Sequence, residues 1–485
     1  MPLLKYQALA SNWFDLGLFE NVFHALGAEG GIGHAFYGHA QPFMPVYALL
    51  YRWSGPMGIL ALQGLALALP AWALLRQYGL LPALAYLLYY PLWANALFDF
   101  HFDHLAVPLL LGFYIGYERR SVGGALACAL LLALVKEPFA LQTAACGLFL
   151  LWQAVRHRED PFSRRWLAAG CVLVLAGMGW FYAATQWLIP HFTGSRGGLD
   201  ADAFTWLGRG LGAMAWQLAT HPWLPFTEAL SNPLKLLYLG VCFGLLAFVP
   251  LLQPQWLIPA IPPLLIAMLA RSENYYSYGN HYTAGLIGPL LIAFAHGMPI
   301  VRRAAAHWKI PAGPAVGLAL LAGHVAFAPS PLGRLFWSDK VWSYSRQAYM
   351  PDDRTGRIKA AIDRWIPEDR AVSVSTQNTL NWGRMPRREA YFAFPEGVFE
   401  PKAVADGAVA ASPRGRQRYA DYVVLDEKRP WFLGDQGCLW LFGRCTDERA
   451  AARYRDAVAA ARQQYAVVYE EDGFSILRRR TGGNP

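Results

Sequence analysis

Residues 236–270 read LLYLGVCFGLLAFVPLLQPQWLIPAIPPLLIAMLA, a run of 35 residues without a charged side chain. A helix that spans a bilayer needs about 20 predominantly apolar residues, so this run is long enough for two spans. The segment PLLQPQ at 250–255 predicts a hairpin between them, because proline interrupts a helix. The stretch predicts a polytopic membrane protein rather than a soluble one.

Other uncharged runs extend this interpretation along the first two thirds of the chain. Only 15% of the 485 residues are charged, well below the roughly 25% of an ordinary soluble domain. The further runs cover residues 56–75, 80–98, 105–117, 121–135, 138–155, 166–190, 282–301 and 310–333. The runs 105–117 and 121–135 are short, but the charges between them fit a consistent topology, so we predict ten spans.

The uneven distribution of charge divides the chain into regions. Residues 1–333 contain 30 charged side chains and all twelve histidines, whereas the shorter region 334–485 contains 45 charged side chains. We therefore predict a first outer loop with juxtamembrane helices over 1–55, a transmembrane domain over 56–333 and a soluble domain over 334–485.

The soluble domain is predicted to have an α/β fold. Short runs of β-branched and aromatic residues between turn residues indicate strands. The predicted strands cover 371–376, 389–394, 421–426 and 465–470, and the predicted helices cover 352–366 and 447–463. The segment 474–480 is expected to close a hairpin through Asp472-Gly473.

The basic residues predict the orientation, because they favour cytoplasmic loops. If residues 1–55 lie outside, the inside loops carry Arg76, Arg119, Arg120, Arg156, Arg158, Arg164, Arg165, Arg302, Arg303 and Lys309. The outside loops then carry Asp15, Glu20, Asp99, Asp103, Glu137, Asp200, Asp202, Glu228 and Glu273. Ten crossings make residues 334–485 extracytoplasmic. A chain that starts outside requires either that the following helix translocates the short N-terminus or that a further helix is encoded before Met1, and we expect the second.

Polar residues from four segments meet at the predicted outer surface. The heptapeptide FDFHFDH at 98–104 lies between two apolar runs. The other segments contribute Asp15, Glu20, His24, His34 and His39, then Lys136 and Glu137, then Glu273, Asn280 and His281. Because ionisable residues at membrane depth are usually functional or paired, we predict a site between the helices that opens to the outside.

Each of these residues also has a purely structural interpretation, and both remain open. Asp15 is either a catalytic group or a cap for a helix that begins near Leu16. The group Asp99, His101 and Asp103 is either a metal site, since imidazole and carboxylate are usable ligands, or a hydrated interfacial loop.

The remaining alternatives concern the other outer segments. Lys136 and Glu137 either bind substrate or neutralise each other at a helix end. His281 is either a site residue or a satisfied interface histidine, and His296 and His324 are expected to be packing residues. The residues Tyr275, Tyr276 and Tyr278 are most simply explained as an interfacial aromatic belt.

Four motifs resemble those of an uncharacterised bacterial membrane-protein family, domain of unknown function twenty seventy-nine. They are Asn12–Glu20, Phe100–Asp103, Leu134–Glu137 and Asn280–Tyr282. That family is similar to the GT-C glycosyltransferases, polytopic enzymes that take sugars from polyprenyl-phosphate carriers. The chain departs from the family pattern in having Phe14 for tyrosine and Glu20 where aspartate is frequent. It also has Phe102-Asp103 for proline-glutamate and Pro138 for aspartate.

The resemblance implies a function at the bacterial inner membrane. The chain is expected to lie in the lipid bilayer and to move a sugar from a polyprenyl-phosphate donor to an unknown extracytoplasmic acceptor; no nucleic-acid partner is expected. Asp15 and Glu20 are the expected catalytic residues, and the expected substrate-binding residues are His101, Lys136, Glu137, Asn280, His281 and Tyr282.

The chemistry itself assigns two of these roles. The acceptor hydroxyl needs a base, for which Asp15 is the candidate. The departing phosphate needs positive charge, supplied either by Lys136 or by a divalent cation on Asp99, His101 and Asp103. The sequence does not choose between lysine and metal. A transporter or flippase is the alternative function, and a non-catalytic assembly protein is a third.

The cysteines allow one prediction about the soluble domain. Cys128, Cys146, Cys171 and Cys242 fall within predicted spans, and Cys438 and Cys445 do not. Because an oxidising compartment favours bridging, we expect Cys438 and Cys445 to form a disulfide.

Overall fold

The computed structural model describes residues 1–11, 13–29, 32–36, 38–193, 201–338, 345–367, 369–377, 380, 382, 388–403, 417–429 and 448–480. Most of these residues are helical. The helices are α1 Pro2–Gln7, α2 Trp13–Glu29, α3 Met44–Tyr78, α4 Leu80–Leu88, α5 Tyr90–Phe98, α6 Ala106–Glu118, α7 Val122–Ala133, α8 Glu137–Arg156, α9 Ser163–Ala183, α10 Ile189–Thr193, α11 Ala201–Phe204, α12 Leu211–Thr220, α13 Leu224–Ser231, α14 Pro233–Leu239, α15 Ile261–Leu269, α16 Ala284–His307, α17 Ala312–Phe327, α18 Asp353–Trp365 and α19 Glu448–Gln464.

Several helices have the length and composition of membrane spans. Among the described residues, four are long and apolar enough, namely Met44–Tyr78, Glu137–Arg156, Ser163–Thr193 and His281–His307. The pair α4 and α5, bent by 48° at its break, makes a fifth if it is one span. Shorter apolar helices occupy the other predicted runs, and they are below the usual spanning length. The number of ten spans therefore stays a prediction.

Helix α3 begins earlier than the uncharged run 56–75 and contains a kink. The kink lies at Gly55, whose φ of 62° and ψ of −164° are not helical. Glycine tolerates this conformation, and Pro56, which follows it, has no N–H to continue the helix. The segment before the kink carries Tyr47 and Tyr51, which reach the polar site described below.

The connection within 236–270 is more extensive than a hairpin at PLLQPQ. The chain turns first at Ala247 and Phe248, whose φ values of 52° and 54° are left-handed. Two 3-10 helices, Val249–Leu252 and Pro254–Ala260, follow and lead into α15. The proline-rich segment 250–255 thus lies within these short helices, because proline disrupts longer α-helical hydrogen bonding.

The basic loops gather at one end of the helices. Arg120 forms an ion pair with Asp160 at 3.1 Å, joining the loops after α6 and α8. Arg119 donates to Gln77 at 3.0 Å, which ties in the end of α3. Because α6 runs away from FDFHFDH toward Arg119, these basic loops and that heptapeptide lie at opposite ends.

The C-terminal domain contains a mixed five-stranded sheet with the order β2-β1-β5-β7-β6. Strand β1 pairs in parallel with both β2 and β5, whereas β7 pairs antiparallel with both β5 and β6. The seven described strands, two of them in a separate pair, are β1 Asp369–Thr376, β2 Arg388–Ala393, β3 Lys402–Ala403, β4 Gln417–Arg418, β5 Tyr422–Asp426, β6 Tyr465–Glu471 and β7 Phe474–Arg479. The predicted strands, both helices and the hairpin are confirmed. Asp472 and Gly473 make its turn with positive φ values.

This domain packs on the end of the molecule that carries FDFHFDH. Strand β2 contacts α2, and the rings of Tyr6 in α1 and Trp382 lie 6.0 Å apart. Helix α2 is in turn held by Asp99 of the heptapeptide. The C-terminal domain and the polar segment are therefore on the same side of the helices.

A buried ion pair anchors α18 to this sheet, and its loss should destabilise the domain. Arg354 donates to both carboxylate oxygens of Asp426, at 2.8 and 2.7 Å. We expect Arg354→Met to cost about 2 kcal/mol, because it removes hydrogen bonds to a buried charge, although the backbone N–H groups of Lys428 and Arg429 still bond Asp426. The measurement is limited proteolysis of the full-length protein in detergent, in which the C-terminal domain of the Arg354→Met variant should be cleaved faster than that of the unsubstituted protein.

Arg357 offers the matched control on the same helix. It pairs with Glu471 at 2.9 Å, but both side chains are about half exposed, at 48% and 47%. Such pairs contribute roughly 0 to 1 kcal/mol, so Arg357→Met should leave the cleavage rate nearly unchanged. Equal effects of the two substitutions would contradict the assigned importance of the buried pair.

Candidate functional site

The heptapeptide at 98–104 is held in place by polar groups from two helices. The carboxylate of Asp99 accepts a 3.1 Å hydrogen bond from the N–H of Leu16 in the first turns of α2. Gln63 in α3 donates to the Asp99 carbonyl at 2.7 Å and accepts the N–H of His101 at 3.1 Å. The side chain of Gln63 is fully buried. It satisfies backbone groups of a segment that is not helical, so it fixes the position of the polar side chains that follow.

Asp15 is the third residue of α2 and lies in its first turn. It therefore does not occupy the position before the helix that a cap requires, and Asp99 bonds the Leu16 N–H instead. Burial raises the pKa of Asp15, as does the negative charge of Asp103, while His101 and Lys136 oppose this shift. The carboxyl group thus lies close enough to these three residues to respond to their charges.

Asp103 forms the centre of a buried group with two histidines. Its carboxylate contacts Nδ1 of His101, and the His101 ring stacks on His281 with centroids 3.5 Å apart and planes 11° apart. The three residues are buried, with 4% to 8% of their surfaces exposed. One potential ligand atom of each lies within 4.8 Å of the others. The arrangement joins the segment before α6 to the start of α16.

Lys136 supplies positive charge to the same group. Burial alone would lower its pKa, but Asp103, Glu137, Tyr275 and Asp15 hold it above the ordinary value. The Asp103 pKa, which burial would raise, is correspondingly held well below its usual range by Lys136 and the neighbouring histidines. Lys136 is therefore an ammonium ion and Asp103 a carboxylate at neutral pH.

Glu137 binds the loop before α3 rather than neutralising Lys136 alone. Its two carboxylate oxygens contact His39 Nδ1 at 2.7 Å and the N–H of Ala40 at 3.0 Å. Glu20 is fully buried and accepts a 3.0 Å hydrogen bond from the Tyr51 hydroxyl. Both carboxylates therefore have defined structural contacts beside the cluster.

A cavity opens next to Lys136 and Asp103. Its empty space, including its mouth, is about 550 Å³. Its lining combines charged, polar and apolar side chains, namely His39, Asp103, Lys136, Pro138, Phe139, Gln142, Pro263, Ile266, Tyr275, Tyr282 and Gly285. The Lys136 ammonium lies 5.8 Å from the centre of the Tyr282 ring, within cation–π range. The cavity thus offers one wall that carries the Lys136 ammonium beside the Asp103 carboxylate, and one hydrocarbon-like wall.

The other predicted site residues lie around this cavity or away from it. Asn280 is buried but does not line the cavity, and Glu273 is exposed. Asp99, which the sequence grouped with His101 and Asp103, faces α2, and His281 lies with those two residues instead. The side chains of His24 and His34, and the predicted disulfide of Cys438 and Cys445, fall outside the described residues.

Three further histidines are held by hydrogen bonds. His104 contacts the Tyr47 hydroxyl and the His101 carbonyl, and burial lowers its pKa to about 4. His324 contacts the Leu88 carbonyl at 2.9 Å and the Ser330 hydroxyl at 2.5 Å. His296 contacts Glu118 at 2.6 Å, at the end of the helices opposite the cavity.

Sequence reasoning missed three residues that shape the site. Gln63 bonds the heptapeptide, and Gln142 donates to the carbonyls of Pro259 and Gly285 beside the cavity. Lys5 donates to the Leu97 carbonyl at 2.6 Å, and burial lowers its pKa to about 8 although Asp99 opposes the shift. The signal that would have identified them is a polar residue within an apolar segment. Tyr275, expected in an aromatic belt, lines the cavity.

The helices and their buried charged cluster define a polytopic α-helical membrane protein. The family described as Predicted membrane protein (DUF2079) matches residues 5–332, more than half of the chain. The chain belongs to this family, as its four motifs indicated. Comparison with the curated proteins and with the solved structures gave no match.

Proposed function

We propose that this protein is a GT-C-like glycosyltransferase that uses a polyprenyl-phosphate sugar donor. The observation that carries the proposal is the cavity beside Lys136, which joins a buried ammonium to an apolar wall formed by residues such as Phe139, Pro263 and Ile266. A phosphate attached to a polyprenyl chain has the same division between an anionic head and a hydrocarbon tail. Ligand sites commonly combine apolar walls with a few placed polar groups.

Asp15 is the proposed general base. As the acceptor oxygen attacks the anomeric carbon, its proton passes to the Asp15 carboxylate and a glycosidic C–O bond forms. The bond between the anomeric carbon and the phosphate oxygen breaks, and polyprenyl phosphate leaves with the bonding electrons. Burial, which raises the pKa of Asp15, makes it a stronger base than an exposed aspartate.

Lys136 is proposed to stabilise the negative charge that develops on the departing phosphate. Its ammonium is buried and preorganised by Asp103 and Asp15, so little rearrangement is needed when the charge forms. The residues His101, Glu137, Asn280, His281 and Tyr282 are proposed to position the substrate. Glu20 is proposed to hold α2, and with it Asp15, in position, because its carboxylate accepts a hydrogen bond from Tyr51 in α3.

The proposed topology has ten spans in the bacterial inner membrane, with the cavity and the C-terminal domain outside the cytoplasm. The positive-inside preference supports this orientation, since Arg119 and Arg120 lie at the opposite end of α6 from the cavity. Contact between β2 and α2 supports a role for the C-terminal domain in covering the site or binding the acceptor.

A transporter is less well supported by the distribution of charge. A transport path needs polar groups near the middle of the membrane. Between Asp103 and Glu118, helix α6 carries no charged residue, and its buried side chains there include Leu110, Leu111 and Phe113.

Binding of polyprenyl phosphate, the released carrier, tests the proposed function without knowledge of the sugar. We expect the purified protein in lipid nanodiscs to bind it in native mass spectrometry, and to bind a polyprenol of equal length at least tenfold more weakly. Equal binding of polyprenyl phosphate and polyprenol would contradict the role of the Lys136 ammonium in recognising the phosphate. Release of polyprenyl phosphate from a panel of polyprenyl-phosphate sugars then measures turnover.

A reporter fused after Pro485 tests the orientation. We expect a reporter that is active only in the periplasm to give a signal there, and one that is active only in the cytoplasm to remain silent. A cytoplasmic reporter fused after Arg158, in the loop between α8 and α9, should show the reverse pattern. Cytoplasmic activity of the Pro485 fusion would contradict the proposed topology and the exposure of the cavity to extracytoplasmic substrates.

A further inference from the structure

We propose that His101, Asp103 and His281 form a binding site for a divalent transition metal, with Zn²⁺ as the preferred ion. One potential ligand atom of each residue lies within 4.8 Å of the other two. Ligands around a zinc ion at bond lengths of about 2.0 to 2.2 Å lie closer than this to one another. Small side-chain movements therefore suffice to bring all three atoms to one ion.

The state of His281 points to a ligand. Its surface is 5% exposed, and both of its ring nitrogens are buried without a hydrogen-bond partner. Leaving a buried polar group without a partner is energetically costly, so most such groups in proteins are satisfied. His104, a few residues from His101 in the chain, has contacts at both ring nitrogens. A metal ion would satisfy the one nitrogen of His281 that faces the cluster.

Asp103 and His101 supply the features of a metal-binding pair. The carboxylate contacts Nδ1 of the His101 ring, so the two side chains already lie close together, and imidazole and carboxylate are both usable metal ligands. The Asp103 carboxylate lies among these imidazoles, with 4% of the residue surface exposed, and carboxylates bind metal in the ionised form. A carboxylate has two oxygens, so Asp103 has the capacity to serve both the Lys136 ammonium and an ion.

The ligand types select the metal. Imidazole suits Zn²⁺ and neighbouring transition metals, whereas Mg²⁺ and Ca²⁺ prefer oxygen ligands. Two histidines and one carboxylate are the protein ligands of some catalytic zinc sites, which keep a fourth position open. Asp15 lies close enough to interact electrostatically with His101 and Asp103, so an ion bound to those residues would lie near the proposed catalytic base. Metal and Lys136 would then act together on the phosphate.

Metal titration of the purified protein tests this inference directly. The full chain in detergent, with any affinity tag removed, is stripped with a chelator and titrated with Co²⁺ while its visible absorption is recorded. We expect one tightly bound ion per chain, displaced by Zn²⁺ and unaffected by excess Mg²⁺. His281→Gln should weaken binding at least about 100-fold, since even loss of a residue supporting a metal ligand costs about 10 to 100-fold.

His296→Gln is the matched control, because His296 lies in α16, the helix that begins just after His281, and also stacks on an aromatic ring, that of Trp256. It should bind metal like the unsubstituted protein. Zinc X-ray absorption of the unsubstituted protein, which requires no variant to fold, should show two imidazole ligands. Absence of a bound ion, equal binding by His281→Gln, or a shell without imidazole would overturn the inference.

The metal inference concerns the same site as the proposed transferase and rests on that function, but its test uses neither lipid nor sugar. A protein that binds polyprenyl phosphate without metal would refute the metal site and leave the transferase proposal standing. A protein that binds Zn²⁺ at these residues and does not distinguish polyprenyl phosphate from polyprenol would support the metal site and refute the transferase proposal.

Discussion

Replacing Asp15 with asparagine is expected to reduce sugar transfer by about 10² to 10⁴-fold, the usual contribution of a general base. Asparagine has nearly the same size as aspartate and preserves the first turn of α2, but its amide does not accept the proton of the acceptor hydroxyl. The variant should still insert in the membrane and bind polyprenyl phosphate. The measurement is the initial rate of polyprenyl phosphate release in nanodiscs. A rate within threefold of the unsubstituted protein would show that Asp15 is not the base.

Asp99→Asn is the control for this substitution. Burial and the charge of Asp15 raise the pKa of Asp99, while Lys5 opposes the shift, and the Asp99 side chain bonds the Leu16 N–H and does not line the cavity. The asparagine oxygen is still able to accept the Leu16 N–H. We therefore expect transfer within about threefold of the original rate, far from the loss predicted for the base. A loss as large as that of Asp15→Asn would mean that the catalytic carboxylate has been assigned to the wrong aspartate.

The same assignment predicts the direction of the pH dependence. The base works in its ionised form, and burial raises the pKa of Asp15 above its ordinary 3.8. Activity should therefore be present above the shifted pKa and decline as the pH falls through it. Measured pH–rate profiles should contain this acidic limb in the Asp99→Asn variant too. A rate that rises as the pH falls would contradict a carboxylate base.

Lys136→Met is expected to reduce sugar transfer by about 10² to 10³-fold, the usual effect of removing a group that stabilises developing negative charge. Methionine retains much of the length and apolar character of the lysine stem, but it has no charge to place near the phosphate. Binding of polyprenyl phosphate should weaken as well, while binding of the uncharged polyprenol should change little. This difference separates loss of phosphate recognition from general damage to the cavity.

Lys235 provides a second buried lysine for comparison. It is 2% exposed, lies 3.5 Å from Glu228, and donates to the Met268 carbonyl at 2.6 Å, but it does not line the cavity. Lys235→Met should therefore affect stability without changing the preference for phosphate over alcohol. Lys136→Arg, which restores a positive charge, should recover part of the lost binding. Full activity of Lys136→Met would remove lysine from the mechanism and leave charge stabilisation to the histidines or a metal.

The sequence by itself determined the class of the protein and the segments that meet at the site. Uncharged runs such as 236–270 are as long and apolar as membrane-spanning segments, which need about 20 apolar residues each. Several such runs in one chain therefore indicate a polytopic membrane protein. The strands of the C-terminal domain were predicted from short runs of β-branched and aromatic residues, and the structure confirms them. The polar residues of FDFHFDH and of Lys136–Glu137 were recognisable because charge at membrane depth is costly.

Only the tertiary structure decided which of these residues are partners. Local spacing placed Asp99 with His101 and Asp103, but the Asp99 carboxylate binds the N–H of Leu16 in α2. His281, about 180 residues further along the chain, stacks on His101 instead. Contacts between segments so far apart depend on how the helices pack, and a hydrophobic pattern specifies which face is apolar without specifying its neighbour. The roles of Gln63 and Lys5 also depend on helix packing, since each side chain donates to a backbone carbonyl of a segment distant in the chain.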